Sequence, residues 1–231
     1  MVKMKRVIAF LLILILLLTG CDSGSPVVNG TVVQVQYSAP SAPWLADITD
    51  CASRNNVIIQ SELRIAESMD ATDYDMAIRI GDHNIYSPAY KIGTDELLVI
   101  INRQNPSSSL SAERVRELFS GRSQNWREIN GNDAPVQVWV FPSGEDIQKT
   151  FERDLLDGSP ISSAAHLAMT PDEMSLAIAN DVNAIGILNR RWKAGNVMDV
   201  YTVSVLPVLV LVPSEPEGAV RALIACMQST P

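Results

Sequence analysis

The chain has 231 residues, 47% of them hydrophobic, with 26 acidic against 18 basic side chains and a formal net charge of −8. Acidity on that scale leaves no footprint for nucleic acid, which wants clustered Lys and Arg, and no attraction to anionic lipid. Three cysteines and two distant histidines, His83 and His166, leave little material for a zinc site or a histidine-based catalytic centre.

The N-terminus carries an address. Lys3, Lys5 and Arg6 form a positive head, and Val7 to Leu18 are unbroken apolar residues. That run is shorter than the roughly twenty residues needed to span a bilayer, so residues 1–20 read as a signal peptide. Leu18-Thr19-Gly20-Cys21 resembles the bacterial lipobox, which implies cleavage before Cys21 and lipidation of its sulfur. The alternative is an ordinary secretory signal with a chance cysteine. Residues 21–30 then serve as a polar tether, and the remainder is expected outside the cytoplasm, touching the membrane through the anchor alone.

Strands and helices alternate from there. "TVVQVQY" (31–37) reads as a strand, and "SAPSAPWLADITDCAS" (38–53) as a helix entered through a Ser41 cap, with Trp44, Leu45, Ile48 and Cys51 or Ala52 on one face. "NVIIQSEL" (56–63) and "YDMAIRI" (74–80) are further strands, and "DELLVIINR" (95–103) is a strand buried on both faces. A helix over 111–121 has Ser111 as cap, Leu110 and Val115 as a hydrophobic staple, and Gly121 as its stop. "VWVFPSGEDIQKTFE" (138–152) passes from strand through a turn into a helix, with Ser143 at the cap and Asp146 three residues on. "TPDEMSLAIAND" (170–181) predicts a helix capped by Thr170, with Pro171 first and Glu173 completing a capping box. "AIGILN" is a short strand, and "DVYTVSVLPVLVLVP" (199–213) is either a strand pair or one long bent strand. "SEPEGAVRALIACMQ" closes the chain as a helix with Val220, Leu223, Ile224 and Met227 on one stripe. Short loops between alternating strands and helices argue for an α/β fold with mainly parallel sheets. In an oxidising exterior, Cys51 and Cys226 are either a disulfide between the first and last helices or two buried thiols.

Residues 95–131 resemble the phosphate-binding solute receptors of ABC importers. The resemblance rests on Asn105-Pro106, Leu110-Ser111, Leu118-Phe119-Ser120-Gly121-Arg122 and Asn125-Trp126, and continues through Phe151 and "NAIGILN" (183–189). It implies a two-lobed type II periplasmic-binding-protein fold, flanked by helices. The terminal lobe would be 31–100 plus 205–231, and the inserted lobe 101–204. It also implies a monomeric receptor that binds a small solute, such as an oxyanion, and serves an ABC permease or a membrane sensor.

The relatives hold an oxyanion with helix N-termini, hydroxyls and an arginine, in a loop reading Arg-x-x-Gly-Ser-Gly-Thr. Here Phe141 takes the arginine position, Gly144 the first glycine, and Glu145-Asp146-Ile147 replaces the hydroxyl donors. Two carboxylates about 4 Å from an anion would each repel it by about 1–4 kcal/mol, depending on the dielectric. Inorganic phosphate is therefore not expected to bind tightly. A neutral or cationic solute suits Glu145 and Asp146 better, with Phe141 as an apolar face. Ser38 and Ser41 offer hydroxyls at the first ligand loop, and Arg79 and Asp82 lie where relatives place a cleft-facing Ser or Asp. The expected ligand set is Ser38, Ser41, Arg79, Asp82, Phe141, Ser143 and Gly144; a plain ion pair of Arg79 with Asp73 or Asp82 is the competing reading.

Nothing points to catalysis. There is no Gly-x-Ser-x-Gly elbow, no His-Glu-x-x-His and no P-loop, and "DATDYD" (70–75) lacks the EF-hand spacing. No metal or cofactor is expected. The alternative to a receptor is an interaction or sensory module that kept the fold and lost the small-anion site.

Overall fold

Strands β4 (Ala89–Asn102) and β8 (Val197–Leu211) form the spine of the molecule, paired antiparallel along most of their length. The computed structural model describes residues 30–69, 73–81 and 87–229; Cys21 and Asp82 lie outside the described residues. Leu97 to Ile101 are all 0% exposed, because both faces of β4 are covered, as its continuous apolar run predicts. The 199–213 segment is one long strand, with its pairing to β4 irregular near Gly93, Leu98 and Ile100.

Among the described residues six strands flank the spine: β1 (Thr31–Tyr37), β2 (Val57–Leu63), β3 (Met76–Ile80), β5 (Gln137–Val140), β6 (His166–Leu167) and β7 (Ala184–Asn189). The sheet order is β2-β1-β3-β8-β4-β7-β5-β6. Parallel pairs lie in the two wings and antiparallel pairs in the middle, so the sheet is mixed. Among the described residues five helices flank it: α1 (Trp44–Arg54), α2 (Ala112–Phe119), α3 (Asp146–Phe151), α4 (Pro171–Asn180) and α5 (Gly218–Ser229).

Local chemistry explains most boundaries. Ser111 Oγ accepts the Arg114 N–H, Gly121 adopts φ +74°, and Thr170 Oγ1 accepts the Glu173 N–H. The Glu173 carboxylate accepts the Met169 N–H, one residue before the position a capping box uses. Ser41 is not the cap of α1. It ends a 3-10 turn, Ala39–Ser41, and Pro43, whose ring presets φ, stands before Trp44 instead. The residues that carry the family resemblance are structural. Phe119 packs on Phe151 at 4.6 Å, the Trp126 indole N–H donates to Asn183 O at 2.9 Å, and Asn125 caps the turn Trp126–Ile129.

Helix α1 packs on β2 and on α5, and α5 on β1 and β4, with Ile48, Leu223 and Met227 in the shared core. Cys51 and Cys226 are joined there by a disulfide, their Cα atoms 5.9 Å apart across 175 residues of sequence. A link closing so long a loop restricts the unfolded chain and is worth on the order of 2–5 kcal/mol. Reduction, or replacement of both cysteines by serine, is expected to lower the urea midpoint correspondingly; an unchanged midpoint would assign the terminal helices' stability to packing alone.

Candidate functional site

Strand β3 is buried at every position, yet it carries Arg79, which is only 8% exposed. A guanidinium in such a place needs a hydrogen-bonded counter-charge. It finds one 67 residues away: Arg79 Nε donates to Asp146 Oδ2 at 2.7 Å, and Nη2 donates to Oδ1 at 2.5 Å. This is the two-point fork that guanidinium groups make with carboxylates and phosphates. Burial alone would lower the arginine pKa, but the hydrogen bonds and charge of Asp146 outweigh it and hold Arg79 above its ordinary value.

The turn before α3 differs from its sequence reading. Ser143 is exposed and is not the cap; Glu145 takes that position with no side-chain cap bond, and Asp146 is the first helical residue. The reason is tertiary. Asp146 turns to Arg79, so its carboxylate serves the ion pair rather than the N–H groups of its own helix. The residues after β2 close over this turn. The Glu67 N–H donates to Gly144 O at 3.1 Å, Lys149 Nζ reaches Glu67 Oε2 at 2.9 Å, and a Cβ on Gly144 would stand 2.8 Å from Ile65 Cγ2.

Of the expected ligand residues, Arg79 and the Gly144 turn come together, with Asp146 between them. Ser38 and Ser41 are buried in a network of their own: Ser41 Oγ lies 2.9 Å from Ser38 O and 3.0 Å from Ile78 O, and accepts the Ser38 N–H at 3.0 Å. Phe141 is buried, and its N–H donates to Gln148 Oε1 at 3.0 Å. Nearby, Pro40 O accepts the Trp192 indole N–H at 2.9 Å and the Asn189 amide at 3.3 Å, and Asn189 also donates to the buried Asp95 at 2.7 Å. Sequence reasoning missed the Asp146 partner and the Glu67–Lys149 pair, since nothing local ties residues so far apart.

Glu145 completes the site. It is 3% exposed and its Oε2 has no hydrogen-bond partner. Burial, reinforced by the adjacent Asp146 charge, pushes its carboxyl up to about 7, against the opposing pull of the Ala66 N–H, Arg79 and Lys149.

A family model described as the PBP superfamily domain matches residues 87–223. The chain belongs to the PBP superfamily. Its fold is similar to that of a protein from Clostridium perfringens assigned as a phosphate ABC transporter substrate-binding protein and solved with bound phosphate. The two share 17% identity at a TM-score of 0.79, over 87% of this chain and 94% of that one. An ABC-type phosphate transport receptor from Vibrio cholerae matches at 15% identity and TM-score 0.65, over 86% and 94%. The reduced regulatory domain of OxyR2 from Vibrio vulnificus matches at 9% and 0.62, over 86% and 93%. At these identities the similarity speaks for the fold, and within the PBP superfamily one fold carries different sites.

Glu145 makes the stability of this PBP domain depend on pH. Its folded value of about 7 lies above the ordinary 4.5, so the folded state keeps a proton that the unfolded state releases. The stabilisation is complete below about 4.5 and is lost as pH rises through about 7. Glu145→Gln, which keeps the neutral form, is expected to unfold at higher urea than the wild type above neutrality, by on the order of 3 kcal/mol. The gap should close in acid. Parallel pH profiles of the two proteins would mean that Glu145 ionises without cost.

Proposed function

We propose that this chain is an extracytoplasmic, lipid-anchored solute receptor whose cleft has given up inorganic phosphate for a neutral or cationic solute. One observation carries the reading: Asp146 occupies both arms of the Arg79 fork, at 2.7 and 2.5 Å, where a bound oxyanion would otherwise sit. A binding role without a catalytic step is supported by membership of the PBP superfamily and by the similarity to phosphate ABC substrate-binding proteins. The same similarity, with the lipobox-like run ending at Cys21, supports an anchored receptor that delivers its solute to an ABC permease or a membrane sensor. The lobes are 31–100 plus 205–231 and 101–204, hinged on β4 and β8, whose irregular register near Gly93, Leu98 and Ile100 supplies places to bend.

A second reading is an interaction module that keeps its cleft shut. It is favoured by contacts made by the protein itself, Glu67 to Gly144 and Lys149 on one side and Trp192 to Pro40 on the other.

Two measurements on the full chain in detergent separate these readings. Calorimetry with phosphate is expected to show no micromolar binding by the wild type, whereas Asp146→Ser should free Arg79, so that phosphate raises the melting temperature of the variant alone. Micromolar binding by the wild type would overturn the assignment of Asp146. In a thermal-shift screen of neutral and cationic solutes, a receptor responds to its ligand, which adds about 2.7 kcal/mol at 100 times its dissociation constant. Silence across the screen, with the phosphate gain intact in Asp146→Ser, favours the module.

A further inference from the structure

Glu145 is carried by one of the two lobes proposed above and buried by the other. It directly precedes α3 in the 101–204 lobe, whereas the 3-10 turn Ala66–Ser68 and β3 belong to the 31–100 lobe. The Ala66 N–H donates to the Glu145 carboxyl, the Glu67 N–H donates to Gly144 O at 3.1 Å, and α3 packs on β3. These contacts leave Glu145 3% exposed, its Oε2 without a hydrogen-bond partner among the described residues. Parting the lobes would remove the cover and return the carboxyl to water.

Charged groups face Glu145 from each element packed against it. Asp146 and Lys149 come from α3, Arg79 from β3, and Glu67 from the 3-10 turn, where it is tied to Lys149 at 2.9 Å. Arg79 turns its Nε and Nη2 to Asp146, so its fork does not compensate a second carboxylate. An ionised Glu145 in the shut cleft is therefore a buried charge beside a like charge, which proteins avoid by neutralising or exposing the group. Within its own lobe the residue has no cation other than Lys149, already shared with Glu67 across the cleft.

We propose that Glu145 is a proton-operated latch, holding the cleft shut while its carboxyl is protonated and letting the lobes part when it ionises and moves out to water. The direction follows from the two environments. In the shut form the carboxyl keeps its proton up to about 7, whereas in water it releases it near the ordinary 4.5. The shut form thus binds a proton that the open form gives up, so closure strengthens as pH falls through 7 and weakens as pH rises through it. The latch rests on the two-lobe reading above and not on which solute the cleft takes.

The test is fluorine NMR of the full chain in detergent, labelled with 5-fluorotryptophan. Trp192 reports on the cleft, because its indole N–H donates to Pro40 O of the other lobe at 2.9 Å. Trp126 is the reference, bonded to Asn183 within its own lobe. Between about pH 5.5 and about pH 8.5 the Trp192 signal is expected to move while Trp126 stays, the shut-to-open ratio being roughly tenfold or more higher at the acid end. Glu145→Gln, which cannot ionise, should hold Trp192 at its acid position throughout; should that variant fail to fold, Glu145→Leu takes its place. Gly144→Leu sets a side chain against Ile65 and should keep the lobes apart at every pH. The latch is overturned if Trp192 ignores pH, if it responds equally in Glu145→Gln, or if Trp126 moves with it, which means loosening of the whole lobe. Where Gly144→Leu moves Trp192 and pH does not, the latch alone fails. Where neither moves it, the hinged two-lobe reading fails as well.

Discussion

The contact between Arg79 and Asp146 is the constraint from which the rest of the cleft follows. A charged side chain in the middle of an entirely buried strand is tolerated only with a matched partner, and removing one member of such a pair costs on the order of 3–5 kcal/mol. Asp146 meets that requirement by bringing the first turn of α3 against β3. Once α3 is held there, the turn at Gly144 lies under Ile65–Glu67, and Glu145 is carried inside with no partner for Oε2. Burial and the adjacent Asp146 charge raise its pKa against the pull of Arg79.

The pair also sets what Arg79 is bonded to, since Asp146 takes both arms of its fork. An internal carboxylate on the arginine fork makes the same two hydrogen bonds as an external oxyanion and needs no association entropy, so a free anion competes at a disadvantage. Ser38 and Ser41, two further donors of the expected site, are engaged with one another and with Ile78 O. The fold is similar to that of phosphate receptors, while Arg79, Ser38 and Ser41 make their hydrogen bonds within the protein and Ser143 is exposed.

The disulfide between Cys51 and Cys226 ties α1 to α5 in the terminal wing.

Patterns that act within a few residues were legible in the sequence. The β1 run, the buried β4 run, the Ser111 and Thr170 caps and the apolar stripe of the last helix each follow from side-chain periodicity or from one backbone N–H and its nearest hydroxyl. The charges of Glu145 and Asp146 were legible too, because a carboxylate is a property of the residue wherever it sits. The partner of Arg79 was not, since Asp146 lies 67 residues away and its local surroundings favoured a helix cap. The same limit misplaced Ser41, whose hydroxyl answers to Ile78 in another strand, and Ser143, which is left in solvent. Sequence determined which elements form and which charges the loop carries. Only the tertiary structure decided which charges meet, because a buried ion pair is selected by the desolvation of both partners at once, and no segment of the chain experiences that alone.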